Sequence, residues 1–444
     1  MMLRNASRLI KTSTLLHRTF ATVAPSESYK VVVIGGGSAG LSVVGQLARD
    51  GLFQTKKDIC VIDPSSVHYY QPMWTFVGAG LKTLDSSKRN MKDLIPPQAH
   101  WEQTSVKKVD PARSVVITAN GKEIKYDKLV LAAGLELRFD KIEGLTNAIG
   151  KDGVCSNYSA DYVEKTYEFA KAFKGGNAIF TQPATAVKCA GAPQKVMYLS
   201  EEIFQANGVR DKTNVSFFSG VGKIFSVEKY ANELLKVCKS RNINVNLLHD
   251  LVAVDGVKKE ATFKMMGDLA KNPPLTVKYD FLHVTPPMAP PAFIAESGLA
   301  NADGWCDVNK ETTKSSKYDN IYSLGDSSSM PTSKTGAAAA AQSYVTATNL
   351  LTDLKTPGQA LPAKYDGYTS CPLVTGKGKL ILAEFSGYTF VPQETFAFDQ
   401  SKERASTYYM TSELIPAIYW NAMVKRGLWR GPGPYRKLLN PFSS

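Results

Sequence analysis

Cys189 stands in Val187-Lys-Cys-Ala-Gly-Ala-Pro-Gln-Lys195, between two lysines and just ahead of a helical stretch whose first turn carries Pro193. Proline is favoured at the first helical position. A thiol beside a helix N-terminus and cationic side chains is held toward its nucleophilic thiolate. The polar, Gly/Pro-rich surroundings also differ from the apolar faces that structural cysteines occupy. A second reactive candidate is Cys371, in Asp366-Gly-Tyr-Thr-Ser-Cys-Pro-Leu-Val374, where Pro372 confines the cysteine to extended backbone. Spacing alone does not pair the two. Cys60, Cys155, Cys238 and Cys306 have no such setting and read as structural. The six cysteines contain no C-x-x-C and no Cys/His cluster of zinc spacing.

The elements that position these thiols begin with a dinucleotide site. Residues 29–34 form a nearly continuous β-branched run, the mark of a buried parallel strand. Gly35-Gly-Gly37-Ser-Ala-Gly40 follows and opens a helix, so Gly35, Gly37 and Gly40 supply G-x-G-x-x-G, with Ser38 and Ala39 at the helix start. Missing Cβ atoms there let a pyrophosphate approach the helix N-terminus. A second strand, Ile59–Ile62, ends in Asp63, about 20 residues past the loop, where an acid accepts from ribose hydroxyls. Strands over 104–119 and 122–131, divided by Asn120-Gly121, read as a β-meander. Tyr126 to Gly134 reads as a strand ending on small residues.

That last segment and Asn320-Ile-Tyr-Ser-Leu-Gly-Asp326 resemble flavoproteins with two dinucleotide-binding domains. In that superfamily the aspartate, here Asp326, holds the ribityl chain. The next helix, expected from Lys334-Thr335-Gly336 through Ala337 to Leu351, aims its N-terminus at the isoalloxazine. A helix N-terminus and a lysine there favour the anionic reduced flavin. The expected organisation is therefore α/β, with two Rossmann-like dinucleotide-binding domains and a discontinuous FAD domain. The FAD parts span 27–149 and 311–360, the second Rossmann-like domain 150–310, and a membrane-associating C-terminal region 361–444.

The inserted domain keeps a strand at Asn177–Thr181 and a helix from Gln194 to Gln205, but residues 182–193 between them lack G-x-G-x-x-G. The next strand, Val215–Phe218, ends in Ser219-Gly220, with neither an acid for a ribose nor an arginine for a 2′-phosphate. Nicotinamide binding loses both supports.

The chain ends and the overall charge bound the location. Residues 1–26 contain no acid but carry Arg4, Arg8, Lys11 and Arg18 among Ser, Thr and Leu, the composition of a mitochondrial presequence. The net charge of +13 suits anionic substrates or an anionic membrane surface. No RNP-like motif, zinc-finger spacing or long basic run points to nucleic acid. No apolar run reaches the ~18 residues of a membrane span.

Several segments together resemble the eukaryotic mitochondrial sulfide:quinone oxidoreductases: the Cys189 and Cys371 stretches, Pro331-Thr-Ser-Lys-Thr335, His283-Val-Thr-Pro-Pro-Met288, Tyr69-Tyr-Gln-Pro72 and Phe398-Asp-Gln-Ser-Lys-Glu-Arg404. The resemblance covers nearly everything after the presequence. It implies non-covalent FAD, with contacts at Ser38, Ala39, Asp63, Gln71, Val106, Gly134, Asp326 and Lys334, and Cys189 with Cys371 as the redox pair. It further implies that hydrogen sulfide, as hydrosulfide, attacks the oxidised pair at Cys371 and leaves a persulfide. Two electrons then pass through FAD to ubiquinone, and glutathione, sulfite or another thiol removes the sulfane sulfur. Some bacterial members have a third essential cysteine, for which Cys155 is the nearest candidate, although its Gly-Val-Cys-Ser-Asn context differs from that site.

Residues 403–437 mix Tyr408, Ile415, Trp420 and Met423 with Lys425, Arg426 and Arg430. Pro416 and Gly427 are expected to break this stretch into short helices at a mitochondrial inner-membrane surface, where a quinone enters from lipid. Phe385, Tyr388, Phe390 and Phe396 are candidate walls of the quinone pocket. Two alternatives carry different expectations: an NADH:quinone oxidoreductase of the same fold, bleached by NADH, and a flavin-binding redox sensor, indifferent to loss of either cysteine.

Overall fold

The computed structural model describes residues 27–442, so the presequence reading of residues 1–26 lies outside the described residues. The apolar run Val31–Ile34 is buried at the centre of a seven-stranded sheet, in parallel register with Ile59–Ile62 on one side and Lys128–Leu131 on the other. Residues 104–119 are not one strand. They fold as Val106–Asp110 and Val115–Thr118, antiparallel across a turn at Pro111–Ser114. The segments expected at 122–131 and 126–134 are a single strand, Glu123–Leu131. Its first half pairs with the meander, and its second half takes Ile321–Ser323 along the same edge. Chain separated by nearly two hundred residues thus closes one sheet.

Two glycines of the loop are sterically required. Gly35 has φ +100°, and a Cβ there would lie 2.3 Å from the carbonyl oxygen of Ala132. A Cβ on Gly40 would lie 1.9 Å from the Gly35 carbonyl, so its absence lets helix α1 (Ser38–Leu47) settle against the strand.

A second sheet of five parallel strands has the order Val154–Cys155, Phe281–His283, Gly176–Gln182, Thr213–Ser219, Ile243–Leu247. Helix α2 (Ala192–Ala206) has Pro193 in its first turn and buries Pro193 to Glu201. The strand ends where a nucleotide would approach are covered by the chain itself. Asp250 accepts from the Ala184 N–H at 3.0 Å, and a Cβ on Gly220 would lie 2.5 Å from the Ala184 nitrogen.

Helix α3 (Gly336–Lys355) is capped by Thr335, whose hydroxyl accepts from the Ala338 N–H at 3.1 Å. It packs on α1 through the buried Ser42–Ser343 hydroxyl pair, 2.8 Å apart. Beyond it the hairpin Thr369–Gly376 and Lys379–Ser386 sorts its side chains by the period of two. Cys371, Leu373, Ile381, Ala383 and Phe385 join the core that includes α2, while Tyr368, Ser370, Pro372, Val374, Leu382 and Glu384 line a cavity on the opposite face.

Ala405 to Val424 is one continuous helical run, contrary to the break expected at Pro416. The turn Met410–Leu414 is π-helical, and Pro416 follows within the first turn of Ile415–Ile418. A widened turn absorbs the hydrogen bond that proline does not donate. Gly427, at φ +59°, does end the run. No helix among the described residues is long and apolar enough to cross a membrane. Tyr419, Trp420 and Met423 are buried against Tyr70 and Trp74, whereas Tyr409 and Tyr435 are 60% and 51% exposed. The aromatic stretch is therefore divided between the protein's own core and its surface.

Candidate active site

A cavity of about 810 Å³ runs from the glycine loop past Cys189 to the C-terminal helices. Gly35, Gly37, Ser38, Ala39, Asp63, Gln71 and Gly134 line one end of it, with Asp326, Lys334, Thr335, Gly336 and Ala337. A Cβ added at Gly37, Gly134 or Gly336 would meet nothing within 4 Å, so bare backbone faces the groove at all three. No side chain caps the N-terminus of α1, and its first turn has no acid. This cradle fits the pyrophosphate and ribityl chain of FAD. The Asp63 carboxylate is fixed by the Gly36 N–H at 2.7 Å and the Ser65 N–H at 2.8 Å. Gly40 acts behind the wall, through helix packing. Val106 lies on its meander strand outside the cavity lining.

Lys334 braces the loop around Asp326. Its ammonium donates to the carbonyls of Asp326 at 2.8 Å and Ser328 at 3.2 Å and lies 3.7 Å from the centroid of the Trp305 ring. Burial lowers it to about 8 and raises the carboxyl of Asp326. Lys188 donates to the Gln71 amide oxygen at 2.7 Å and is likewise lowered to about 8 by burial.

The Cys189 N–H donates to the Lys334 carbonyl at 2.7 Å, which ties the thiol segment to the flavin side of the groove. Cys189 takes φ +53°, a conformation uncommon outside glycine and found where a site imposes it. Its sulfur lies 3.6 Å from that of Cys371. A disulfide of ~2.05 Å needs an approach of about 1.5 Å. Lys195, only 5% exposed, donates to the Cys189 sulfur at 3.3 Å. The hydrogen bond from Cys371 and the Lys195 charge bring Cys189 down to about 5, against the opposing effect of burial. The same hydrogen bond, with burial, raises Cys371 well above the ordinary thiol range. The geometry thus holds one thiolate and one thiol. The four remaining cysteines are buried, and burial holds Cys155, Cys60 and Cys306 up at about 12.

Sequence reading missed three features. His68 is buried beneath the glycine loop, lowered to about 4 by that burial. Its Nδ1 donates to the Gly36 carbonyl at 2.9 Å, which leaves Nε2 to accept from the Tyr419 hydroxyl; Tyr419 in turn accepts from Ser38 at 2.7 Å. This relay fastens the C-terminal helical run to the pyrophosphate end of the groove. The Tyr158 hydroxyl, 3.4 Å from the Cys189 carbonyl, is a second omission. The third is Glu384, a buried acid among the apolar residues of the strand Lys379–Ser386. Its isolation there was the available signal.

Of the aromatics expected around a quinone, Phe396 lines the cavity and the other three do not. Strand alternation turns Phe385 to the Cys371 side, Phe390 packs on it at 5.6 Å, and Tyr388 donates to the Lys310 and Tyr365 carbonyls. Met410, Ile415, Ile418, Trp429, Leu438 and Leu439 form that end of the cavity instead.

Comparison with known proteins matches this architecture. The pyridine nucleotide-disulphide oxidoreductase family model covers residues 29–343. The chain is 43% identical to the mitochondrial sulfide:quinone oxidoreductase of Mus musculus, over 95% of this chain and 92% of that protein. It is 45% identical to that of Dictyostelium discoideum, over 94% and 89%. The solved sulfide:quinone oxidoreductase of Aquifex aeolicus shares the fold, with a TM-score of 0.74 at 19% identity, over 94% of this chain and 95% of that one. On the family match and these identities, the chain belongs to the mitochondrial sulfide:quinone oxidoreductases, FAD-dependent enzymes of the pyridine nucleotide-disulphide oxidoreductase family.

Proposed function

We propose that the chain oxidises hydrogen sulfide at Cys189 and Cys371, reduces ubiquinone, and hands the sulfane sulfur to a small nucleophile such as glutathione or sulfite. The observation that carries this reading is the sulfur pair, 3.6 Å apart, beside the FAD groove with Lys195 on one sulfur. In the oxidised state hydrosulfide attacks the bridge at Cys371, forming a persulfide there and releasing Cys189 as the thiolate. Lys195 stabilises that leaving thiolate. A nucleophilic acceptor then takes the outer sulfur, and the two thiols close the bridge again as two electrons leave. Gly35–Ala39, Asp63, Asp326 and Gly336 would hold FAD, which when bound would supply the two-electron acceptor between the thiol pair and the quinone.

The quinone reading rests on the apolar lobe between the hairpin face and the C-terminal helices, whose mouth carries Tyr435, Leu438 and Leu439. Such a rim beside the exposed Arg430 and Lys437 suits peripheral attachment to an anionic inner mitochondrial membrane. Against NADH as the reductant stands the Ala184 backbone packed on Gly220, where its pyrophosphate would approach. The reading is tested by sulfide-dependent reduction of a soluble ubiquinone analogue by FAD-loaded protein, with glutathione and sulfite compared as acceptors. A loaded protein that reduces no quinone with either acceptor would sink it.

A further inference from the structure

We propose that Tyr368 and Glu384 form the proton relay of quinone reduction, Tyr368 giving its hydroxyl proton to a quinone oxygen and Glu384 resupplying it. The proposal rests on the reading of the C-terminal lobe as the quinone site. Among the described residues, the acids lining the cavity are Asp63, Asp326 and Glu384, and the first two belong to the FAD groove. Glu384 is therefore the carboxyl group of the lobe. It is 3% exposed and shares its face of the hairpin with Pro372, Val374 and Leu382. A charge in such a place is kept only where it is paired or hydrogen-bonded.

The carboxylate is fully engaged. It accepts from the Tyr368 hydroxyl, from the Thr395 N–H at 3.1 Å, from the Thr395 hydroxyl at 2.9 Å and from Gln400 Nε2 at 2.7 Å. Tyr368 also lines the cavity, and the Arg436 guanidinium lies 5.1 Å from the centroid of its ring. Arg436 is buried, and its Nε and Nη2 have no hydrogen-bond partner among the described residues. A free positive charge thus stands where negative charge would develop on a tyrosine losing its proton.

Register puts this pair within reach of the redox centre. Glu384 is the direct cross-strand partner of Ser370, and the neighbouring Thr369 hydroxyl is bonded to Thr335, the cap of α3, at 2.7 Å. Pro372 and Leu382, the next pair on the same face, lie about 7 Å further along the strands. A quinone ring against Pro372 and Leu382 has Tyr368 and Glu384 at its inner end.

Reduction of a quinone to a quinol takes two electrons and two protons. The electrons come from the sulfide half of the reaction, and one proton accompanies them. The Tyr368 O–H bond breaks as the second quinol O–H bond forms. The tyrosine oxygen then takes the proton of the Glu384 carboxylic acid, and the carboxylate is reprotonated by a proton from bulk solvent at the mouth of the lobe, which Tyr435 and Leu438 line. In the observed arrangement Tyr368 donates to the carboxylate. Protonation of Glu384 frees the hydroxyl to turn to the quinone.

The test is rapid mixing of sulfide-reduced protein with a soluble ubiquinone analogue, for the parent, Tyr368→Phe, Glu384→Gln and Glu384→Asp. Flavin content and sulfide bleaching within about twofold of the parent report an intact fold. Equilibrium quinone binding is expected to stay within the same range. Reoxidation should slow at least about tenfold in Tyr368→Phe and Glu384→Gln, since positioned proton transfer contributes ~10²–10⁴-fold. Glu384→Asp should recover part of the rate, and the parent's solvent deuterium isotope effect should change in Tyr368→Phe. Reoxidation within about twofold of the parent in both variants would overturn the relay, as would losses wholly accounted for by weaker quinone binding. Reduced parent protein that no quinone reoxidises would overturn the underlying reading, and the relay with it.

Discussion

Lys195 Nζ donates to the sulfur of Cys189 at 3.3 Å from the first turn of α2, the lysine buried and the cysteine half-buried at the cavity wall. With the hydrogen bond from Cys371, this contact keeps Cys189 ionised down to about pH 5. Because the folded value is depressed, the ionised form stabilises the reduced protein above the ordinary thiol range. That contribution is lost as pH falls through about 5. Alkylation of the reduced protein by iodoacetamide should therefore follow a group titrating near pH 5. Lys195→Met should raise that midpoint, slowing alkylation below about pH 5 by about tenfold per pKa unit while leaving the rate at neutral pH nearly unchanged. A parent profile with the ordinary thiol midpoint of about 8.5 would contradict the assignment.

Gly191 carries a steric prediction. A Cβ there would lie 2.6 Å from the Cys371 sulfur and 2.4 Å from Leu373 Cδ2. Gly191→Ala should push the hairpin from α2, lowering stability by about 1–3 kcal/mol. It should also slow reduction by sulfide at least about tenfold, because misplacement of reacting groups by ~1 Å is costly. Thermal unfolding and stopped-flow bleaching measure the two effects. Wild-type bleaching would show that the sulfur spacing has more tolerance than this packing allows.

The relay from Gly36 through His68 and Tyr419 to Ser38 predicts that the C-terminal run helps retain the cofactor. Tyr419→Phe should weaken FAD binding by the ~0.5–1.5 kcal/mol of a hydrogen bond, a factor of roughly two to ten. Titration of the apoprotein with FAD measures it. An unchanged dissociation constant would make the relay a packing feature only.

The Asp250–Ala184 bond and the Gly220 contact close the nucleotide crevice of the second sheet. NADH should therefore neither bleach the flavin nor protect against proteolysis at millimolar concentration. Bleaching at a rate comparable to sulfide would return the NADH:quinone alternative.

Much of this architecture was legible because local rules govern it. Gly35, Gly37, Gly40 and Asp63 follow from what a strand–loop–helix must do around a pyrophosphate, and Pro193 from how helices begin. Cys189 was legible from the lysines and helix beside it and Cys371 as a candidate from Pro372, but their pairing only through resemblance, since no periodicity brings one to the other. What escaped depends on tertiary placement. Pro416 was expected to break a helix, but a π-turn accommodated it. Phe385 was expected at the quinone wall, but strand parity turned it to the thiol side. Tyr419 and Trp420 of the membrane-like aromatics proved to be core, because they had partners in Tyr70 and Trp74 that composition does not reveal.

The central claim is that sulfide reduces the flavin only through both sulfurs. Anaerobic titration with sulfide, followed at the flavin absorbance, tests it in the parent, Cys189→Ser and Cys371→Ser. The account predicts bleaching of the parent by about one equivalent, and two variants that keep their flavin but bleach at least about a thousandfold more slowly, as when a nucleophile is removed. Bleaching of either variant at the parent's rate would contradict it.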